Sequence, residues 1–242
     1  MQTDSIFRIA SMTKPVTSVA IMMLWEKGKI GLDDPVSKYL PEFKDMKVVV
    51  SLDPLKTEPA KRQITIRHLL THTSGLAYPG TKEIGRLYRE ADIQTGLCTT
   101  DVQLRENTRR LARLPLFFHP GERFTYSMAT DVLGCLVEKV SCMPLDRFFS
   151  ERILEPLEMT DTAFKVPQDE IDRLAAVYIR DDNNSIRKIL EGERLIHIDS
   201  VVSSDYPFAE EHRYFSGGGG LCGTANDYMR FCQMLLNGGE LD

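Results

Sequence analysis

Phe7-Arg8-Ile9-Ala10-Ser11-Met12-Thr13-Lys14-Pro15-Val16-Thr17 sets a serine and a lysine, three residues apart, at the front of an apolar run. The run predicts a helix over Ser11–Lys27, since Pro15 is tolerated in a first turn and Gly28 supplies a C-terminal stop. Residues three apart on a helix have Cβ atoms about 5–6 Å from one another, so hydroxyl and amine converge. A serine hydroxyl is a poor nucleophile until a neighbouring base takes its proton, and a lysine held neutral by burial or nearby positive charge can be that base. The N–H groups of a helix N-terminus beside Ser11 add a positive potential. The same residues also fit a structural role, an N-cap serine with a surface lysine, and spacing leaves both open. The pattern recurs at Ser185-Ile186-Arg187-Lys188, in a polar, strand-like stretch after a charged turn, where it reads as a solvated face.

Outward from this stretch, helix signals dominate. Asp33 as N-cap with Pro35 near N1 predicts a short helix, and Thr65–His72 another, ended by Gly75. Further helices are expected over Asp101–Leu114, with Val102, Leu111 and Leu114 inward, and over Ala129–Val140 and Pro144–Leu154. The last, Thr224–Leu236, is opened by Thr224 with Asp227 three residues on and closed by Gly238-Gly239. Strand signals are fewer: Lys47–Ser51, Ala175–Ile179, and Ser185–Ile198 after the turn-like Asp181-Asp182-Asn183-Asn184. Leu52–Gln63 and Ala77–Ile93, polar and punctuated by Pro or Gly, read as long loops and candidate walls of a site.

Thirty Lys and Arg stand against 35 Asp and Glu, a formal charge of −5 with both signs interspersed, so no basic face exists for a phosphate backbone and nucleic acid is not an expected partner. The longest apolar run, Val16–Trp25, is too short to span a bilayer and is interrupted by Thr17 and Ser18. Met1-Gln2-Thr3-Asp4-Ser5 lacks the basic-then-apolar order of a secretory signal. Cys98, Cys135, Cys142, Cys222 and Cys232 are odd in number and contain no C-x-x-C pair. They are expected as buried free thiols, which favours a reducing, cytoplasmic setting.

The Phe7–Thr17 run resembles the active-site segment of class C β-lactamases, low-molecular-weight penicillin-binding proteins and family VIII carboxylesterases. Lys29–Pro41, Ile64-Thr-Ile-Arg-His-Leu-Leu-Thr-His-Thr-Ser-Gly-Leu76 and Ser216–Leu241 resemble that superfamily too, in the same order, so the resemblance spans most of the chain and selects Ser11 over Ser185. It implies an α+β fold, a helical domain beside an antiparallel sheet flanked by helices, with Ser11 at their junction as nucleophile and Lys14 as its base. His119-Pro-Gly-Glu-Arg-Phe-Thr-Tyr126 matches the segment whose tyrosine relays protons in the superfamily, and Tyr126 takes that role. The β-lactamases carry Asn two residues after that tyrosine to hold the substrate's amide, whereas this chain has Met128, whose thioether is at best a weak acceptor. The departure resembles the esterase branch, with Met128 expected on the substrate side. Gly218 and Gly219, in a segment like the superfamily's Gly-Gly-Gly-Leu, are expected to form a flexible turn at the site mouth.

Other patterns carry less. Gly218-x-Gly220-x-x-Gly223 matches a dinucleotide fingerprint by glycine richness alone, without a βαβ context, and no cofactor is expected. His68 and His72 could face one way on a helix, yet no carboxylate motif completes a metal site, so they are expected to pack and hydrogen-bond. No G-x-S-x-G elbow occurs.

In the superfamily, strands precede the nucleophile helix and follow the glycine segment, and a late strand carries a third motif. Neither set is evident here; His119-Pro-Gly121 matches His-x-Gly by letters only, and the single Trp25 lies in the first helix. The chain is therefore expected to be one incomplete domain over residues 1–242, mainly its helical part, with any internal boundary near Asp161. The Ser11 N–H would supply one oxyanion donor and the second would be missing, a loss that typically costs about 10² to 10³ in rate. The expected function is cleavage of small carboxylic esters through an acyl-enzyme on Ser11, with β-lactamase or D-Ala-D-Ala peptidase-like activity as the alternative. From a different class, the chain reads as a non-catalytic fragment completed by strands of another chain or a second copy.

Overall fold

The computed structural model describes residues 1–181, 184–190, 192–197 and 200–240. Its elements are β1 (Phe7–Arg8), α1 (Thr13–Glu26), β2 (Lys47–Leu52), β3 (Leu55–Pro59), α2 (Ile66–Leu70), α3 (Gly85–Glu90), α4 (Leu104–Ala112), α5 (Ala129–Ser141) and α6 (Leu145–Phe149), then β4 (Tyr178–Arg180), β5 (Ile186–Lys188), β6 (Arg194–His197), β7 (Ser200–Ser203), β8 (Cys222–Gly223) and α7 (Ala225–Leu236). Among the described residues the strands form antiparallel pairs, β1 with β8, β2 with β3, β4 with β5 and β6 with β7.

Helix α5 is the centre of the core. Its residues from Ala129 to Val137 are all buried, and it packs against α1, α2, α4 and α6. Helix α1 lays Val16, Ala20, Ile21 and Leu24 on it, the i, i+4, i+5, i+8 stripe of a core-facing helix. The buried apolar cluster continues through Met159 and Phe164, on either side of Asp161. The β1–β8 pair then sets Phe7 opposite Gly223 and Arg8 opposite Cys222, which brings the segment before Ser11 alongside the glycine run.

Several expectations are corrected. Ser11 does not lie in α1 but in a one-turn 3-10 segment, Ala10–Met12, ahead of it. Asp33 does not cap a helix: its carboxylate pairs with Arg67 at 2.7 Å, and Pro35 is extended, bridging to Thr65, so only short 3-10 turns at Val36–Lys38 and Pro41–Phe43 follow. Leu52–Gln63 is not a loop throughout, because Leu55–Pro59 pairs with β2; all five of its residues are exposed, which erases the alternation that betrays a strand. Ala77–Ile93 contains α3. The stretch expected as one strand, Ser185–Ile198, is two, broken where the Glu193 N–H donates to the Leu190 carbonyl at 3.1 Å. Asp182 and Asn183 of the expected turn, Ile198 and Leu241 lie outside the described residues.

All five cysteines are free, but only Cys98, Cys135 and Cys222 are buried. Cys142 is exposed in the left-handed position that ends α5, and Cys232 falls off the buried Asp227, Phe231, Met234 stripe of α7. No described helix is long and apolar enough to cross a membrane.

Gly75 shows how tightly the loop after α2 is held. Its φ is +86°, the Phe117 N–H donates to its carbonyl at 2.7 Å, and a Cβ there would stand 2.3 Å from the Phe118 carbonyl oxygen. Gly75→Ala is expected to cost about 3 kcal/mol through left-handed strain and overpacking, which lowers Tm by roughly 6–12 °C in a chain of this size. A melting curve superimposable on that of the native chain would show that this loop yields.

Candidate active site

Two elements meet around Ser11. The 3-10 turn carries it, with Ala10 before it at φ 44°, a left-handed conformation that costs a non-glycine residue about 1–3 kcal/mol. The turn is braced on both sides: the Ile9 N–H donates to the Leu221 carbonyl at 3.0 Å and the Met12 N–H to the Ile9 carbonyl at 2.9 Å. Lys14, in the first turn of α1, is buried and sends its amine back toward Ser11, Nζ to Oγ 3.2 Å, while donating to the Gly218 carbonyl at 2.6 Å. The Tyr126 hydroxyl donates to Ser11 Oγ at 2.6 Å. The three residues singled out for chemistry therefore stand around one oxygen.

Aromatic rings enclose the amine. Lys14 Nζ lies 4.6 Å from the Tyr126 ring centroid and 5.8 Å from that of Tyr78, and the two rings stack at 5.5 Å with an 18° tilt. Burial pushes the Tyr78 phenol well above its ordinary value, and the charge of Asp131 and then Tyr126 add to this. His72, left-handed just past α2, sets its ring 5.0 Å from Tyr126 and its Nδ1 3.2 Å from Ser127 Oγ. Burial and then the charge of Lys14 lower its pKa to about 4, so the imidazole is neutral near pH 7 and adds no cation beside Lys14. His68 does different work: its Nδ1 accepts from the Thr65 N–H at 3.2 Å and its own N–H donates to Thr65 Oγ1, closing the N-terminus of α2. Packing and hydrogen bonding occupy both histidines, and among the described residues no group of His, Cys, Asp or Glu is placed to hold a metal ion.

The glycine run is not the flexible turn expected. Ser216–Gly220 is buried, and a Cβ would be crowded at Gly217, Gly218 and Gly220, whereas one on Gly219 would meet no atom closer than 3.9 Å. A Cβ on Gly217 would stand 2.7 Å from the Thr130 carbonyl, and one on Gly218 2.5 Å from Asp131 Oδ2. Thr17 Oγ1 donates to the Gly217 carbonyl at 2.7 Å, so the turn is pinned to α1 twice, here and through Lys14. Close approach, not conformational freedom, explains Gly217, Gly218 and Gly220.

Gly218 and Gly219 line a cavity of about 470 Å³ with Ser11, Tyr78, Leu97 and Val202. Leu97 and Val202 come from segments bonded to each other, the Ser203 N–H donating to the Leu97 carbonyl at 2.9 Å. Met128 does not take part. It is fully buried in the core under the start of α5, so its expectation as a substrate contact is corrected: at the N-cap of α5 the chain turns this side chain inward. Tyr78 and Leu97 were missed because nothing in their neighbourhood forms a motif; the Pro- and Gly-broken loop character of Ala77–Ile93 was a signal for Tyr78 alone, and Leu97 had none.

The second serine–lysine pattern lies elsewhere in chemical terms. Ser185 and Lys188 are exposed at and within β5, where residues three apart project to opposite faces. His119 is likewise structural, its ring between Glu58 at 3.0 Å and the Lys61 N–H at 3.3 Å.

A family profile described as Beta-lactamase matches residues 1–242. Protein Rv1367c of Mycobacterium tuberculosis is 42% identical over 248 residues, covering 100% of this chain and 56% of that protein. Esterase EstB of Burkholderia gladioli is 36% identical over 242 residues, covering 97% of this chain and 58% of that protein. Among solved structures, EstCE1, a hydrolase with promiscuous acyltransferase activity, superposes with a TM-score of 0.83 at 32% identity, covering 99% of this chain and 61% of EstCE1. The chain thus spans little more than half the length of the curated relatives it matches.

Proposed function

The chain belongs to the Beta-lactamase family, and its fold is the α+β arrangement of that family and of the penicillin-binding proteins; we propose that it is the reactive part of a serine hydrolase that cleaves small, uncharged carboxylic esters. One observation carries the reading: Ser11 Oγ sits within hydrogen-bond reach of both Lys14 Nζ and the Tyr126 hydroxyl, on the wall of a cavity large enough for a small ester.

In the proposed reaction Ser11 Oγ bonds to the ester carbonyl carbon and its proton passes to the Lys14–Tyr126 pair. The Ser11 peptide N–H serves as an oxyanion donor. The alcohol leaves with that proton, and water then attacks the acyl carbon, releasing the acid and restoring Ser11. An alcohol in place of water gives acyl transfer, as the description of EstCE1 has for that enzyme.

Lining chemistry supports esters over lactams and D-Ala-terminated peptides. Leu97, Val202 and Tyr78 give the described part of the cavity apolar walls, which suit an uncharged group better than a carboxylate. The native chain is expected to release p-nitrophenol from p-nitrophenyl butyrate faster than it opens a chromogenic cephalosporin, compared as kcat/KM. A cephalosporin preferred over the ester reverses the substrate reading.

A further inference from the structure

Behind the glycine turn lies a carboxylate that the reaction above does not use. Asp131, in the first turn of α5, is 2% exposed. Its Oδ1 accepts from Ser216 Oγ at 2.6 Å and from the Tyr214 hydroxyl at 3.0 Å. Its Oδ2, equally buried, accepts no hydrogen bond of ordinary geometry among the described residues. A Cβ on Gly218 would stand 2.5 Å from Asp131 Oδ2 and 3.6 Å from Lys14 Nζ, so the carboxylate and the catalytic amine both approach the same face of that glycine.

We propose that Asp131 is a positioning residue that acts through Lys14, its buried charge beside Gly218 setting the pH at which Lys14 can take the Ser11 proton. The inference rests on Ser11 and Lys14 being nucleophile and base. An ionised Asp131 favours the ammonium form of Lys14, and an uncharged group in its place releases the amine at lower pH. Around the pair, Tyr126 and Tyr78 face Lys14 from the loops before α5 and after α2, Ser216 and Tyr214 face Asp131 from the segment before the turn, and neutral His72 lies beyond Tyr126. Burial raises the Asp131 carboxyl above its usual range, against the downward pull of Ser216, Lys14 and Tyr214, so the carboxylate changes charge closer to working pH than an exposed one does. Asparagine keeps an acceptor for Ser216 and Tyr214 and removes the charge, with an amide NH2 in place of Oδ2.

The test measures Ser11 labelling by an alkyl fluorophosphonate across pH, which needs no turnover. Ser11 Oγ bonds to phosphorus, fluoride leaves, and the serine proton goes to the base. Asp131→Asn is expected to move the acid limb of the labelling rate down by about one to two pH units, the size of a buried charge acting over several ångströms. Tyr214→Phe, which removes one donor to Oδ1 and keeps the fold's apolar contacts, is expected to move it the same way by less. If the asparagine variant does not fold, the phenylalanine variant alone decides. Midpoints unchanged from the native chain, or a loss of rate equal at every pH, overturn the inference and leave Ser11 as nucleophile. A native chain unlabelled at Ser11 at any pH removes both.

Discussion

Ser11→Ala is expected to abolish covalent labelling by a fluorophosphonate and to lower ester turnover by about 10⁴-fold or more. Removal of Oγ takes away the one atom on which Lys14 Nζ and the Tyr126 hydroxyl converge, at 3.2 and 2.6 Å. Among the described residues the neighbouring serines do not replace it: Ser127 is buried and engaged with His72, and Ser216 is buried and bound to Asp131. The change costs little stability, because Ser11 is exposed and sits in a turn held by the Ile9 and Met12 backbone. Intact mass of the treated variant is the readout. An adduct of undiminished yield on Ser11→Ala would move the nucleophile elsewhere and sink the proposed mechanism.

Tyr126→Phe should separate chemistry from binding. The phenyl ring retains the stack on Tyr78 and the face presented to Lys14 Nζ, and loses only the hydroxyl that reaches Ser11. The residue is 44% exposed, so folding is expected to change by less than about 0.5 kcal/mol. A group that moves a proton in the transition state contributes about 10² to 10⁴ in rate. Steady-state kinetics on p-nitrophenyl butyrate should therefore show kcat falling by that factor with KM within a few-fold. A raised KM at unchanged kcat would make the hydroxyl a substrate contact instead.

Much of this was legible because it is local. The apolar stripe of α1, the Thr224–Asp227 cap of α7 and the serine–lysine spacing are each contained in a few residues, and the order of the resembling segments selected Ser11 over Ser185. What escaped depends on distant partners. Leu55–Pro59 is a strand only because β2 lies beside it, and with every side chain exposed it has no pattern of its own. Met128 carries the identity that distinguishes the β-lactamase motif, but its direction is set by the start of α5, which identity does not encode. The glycine run announced itself by composition, and composition suggested freedom where the reason is crowding by Thr130 and Asp131. The strained Ala10 has no sequence signature at all.

Lys14 and Thr17 bond to Gly218 and Gly217 across sequence separations of 204 and 200 residues. A ribosome adding about 5–20 residues per second needs roughly 10–40 s to cover that interval. Over that interval neither tether exists, and the Leu221 carbonyl that braces the Ser11 turn is also still to come, so serine and lysine are held together only once the glycine turn has been made.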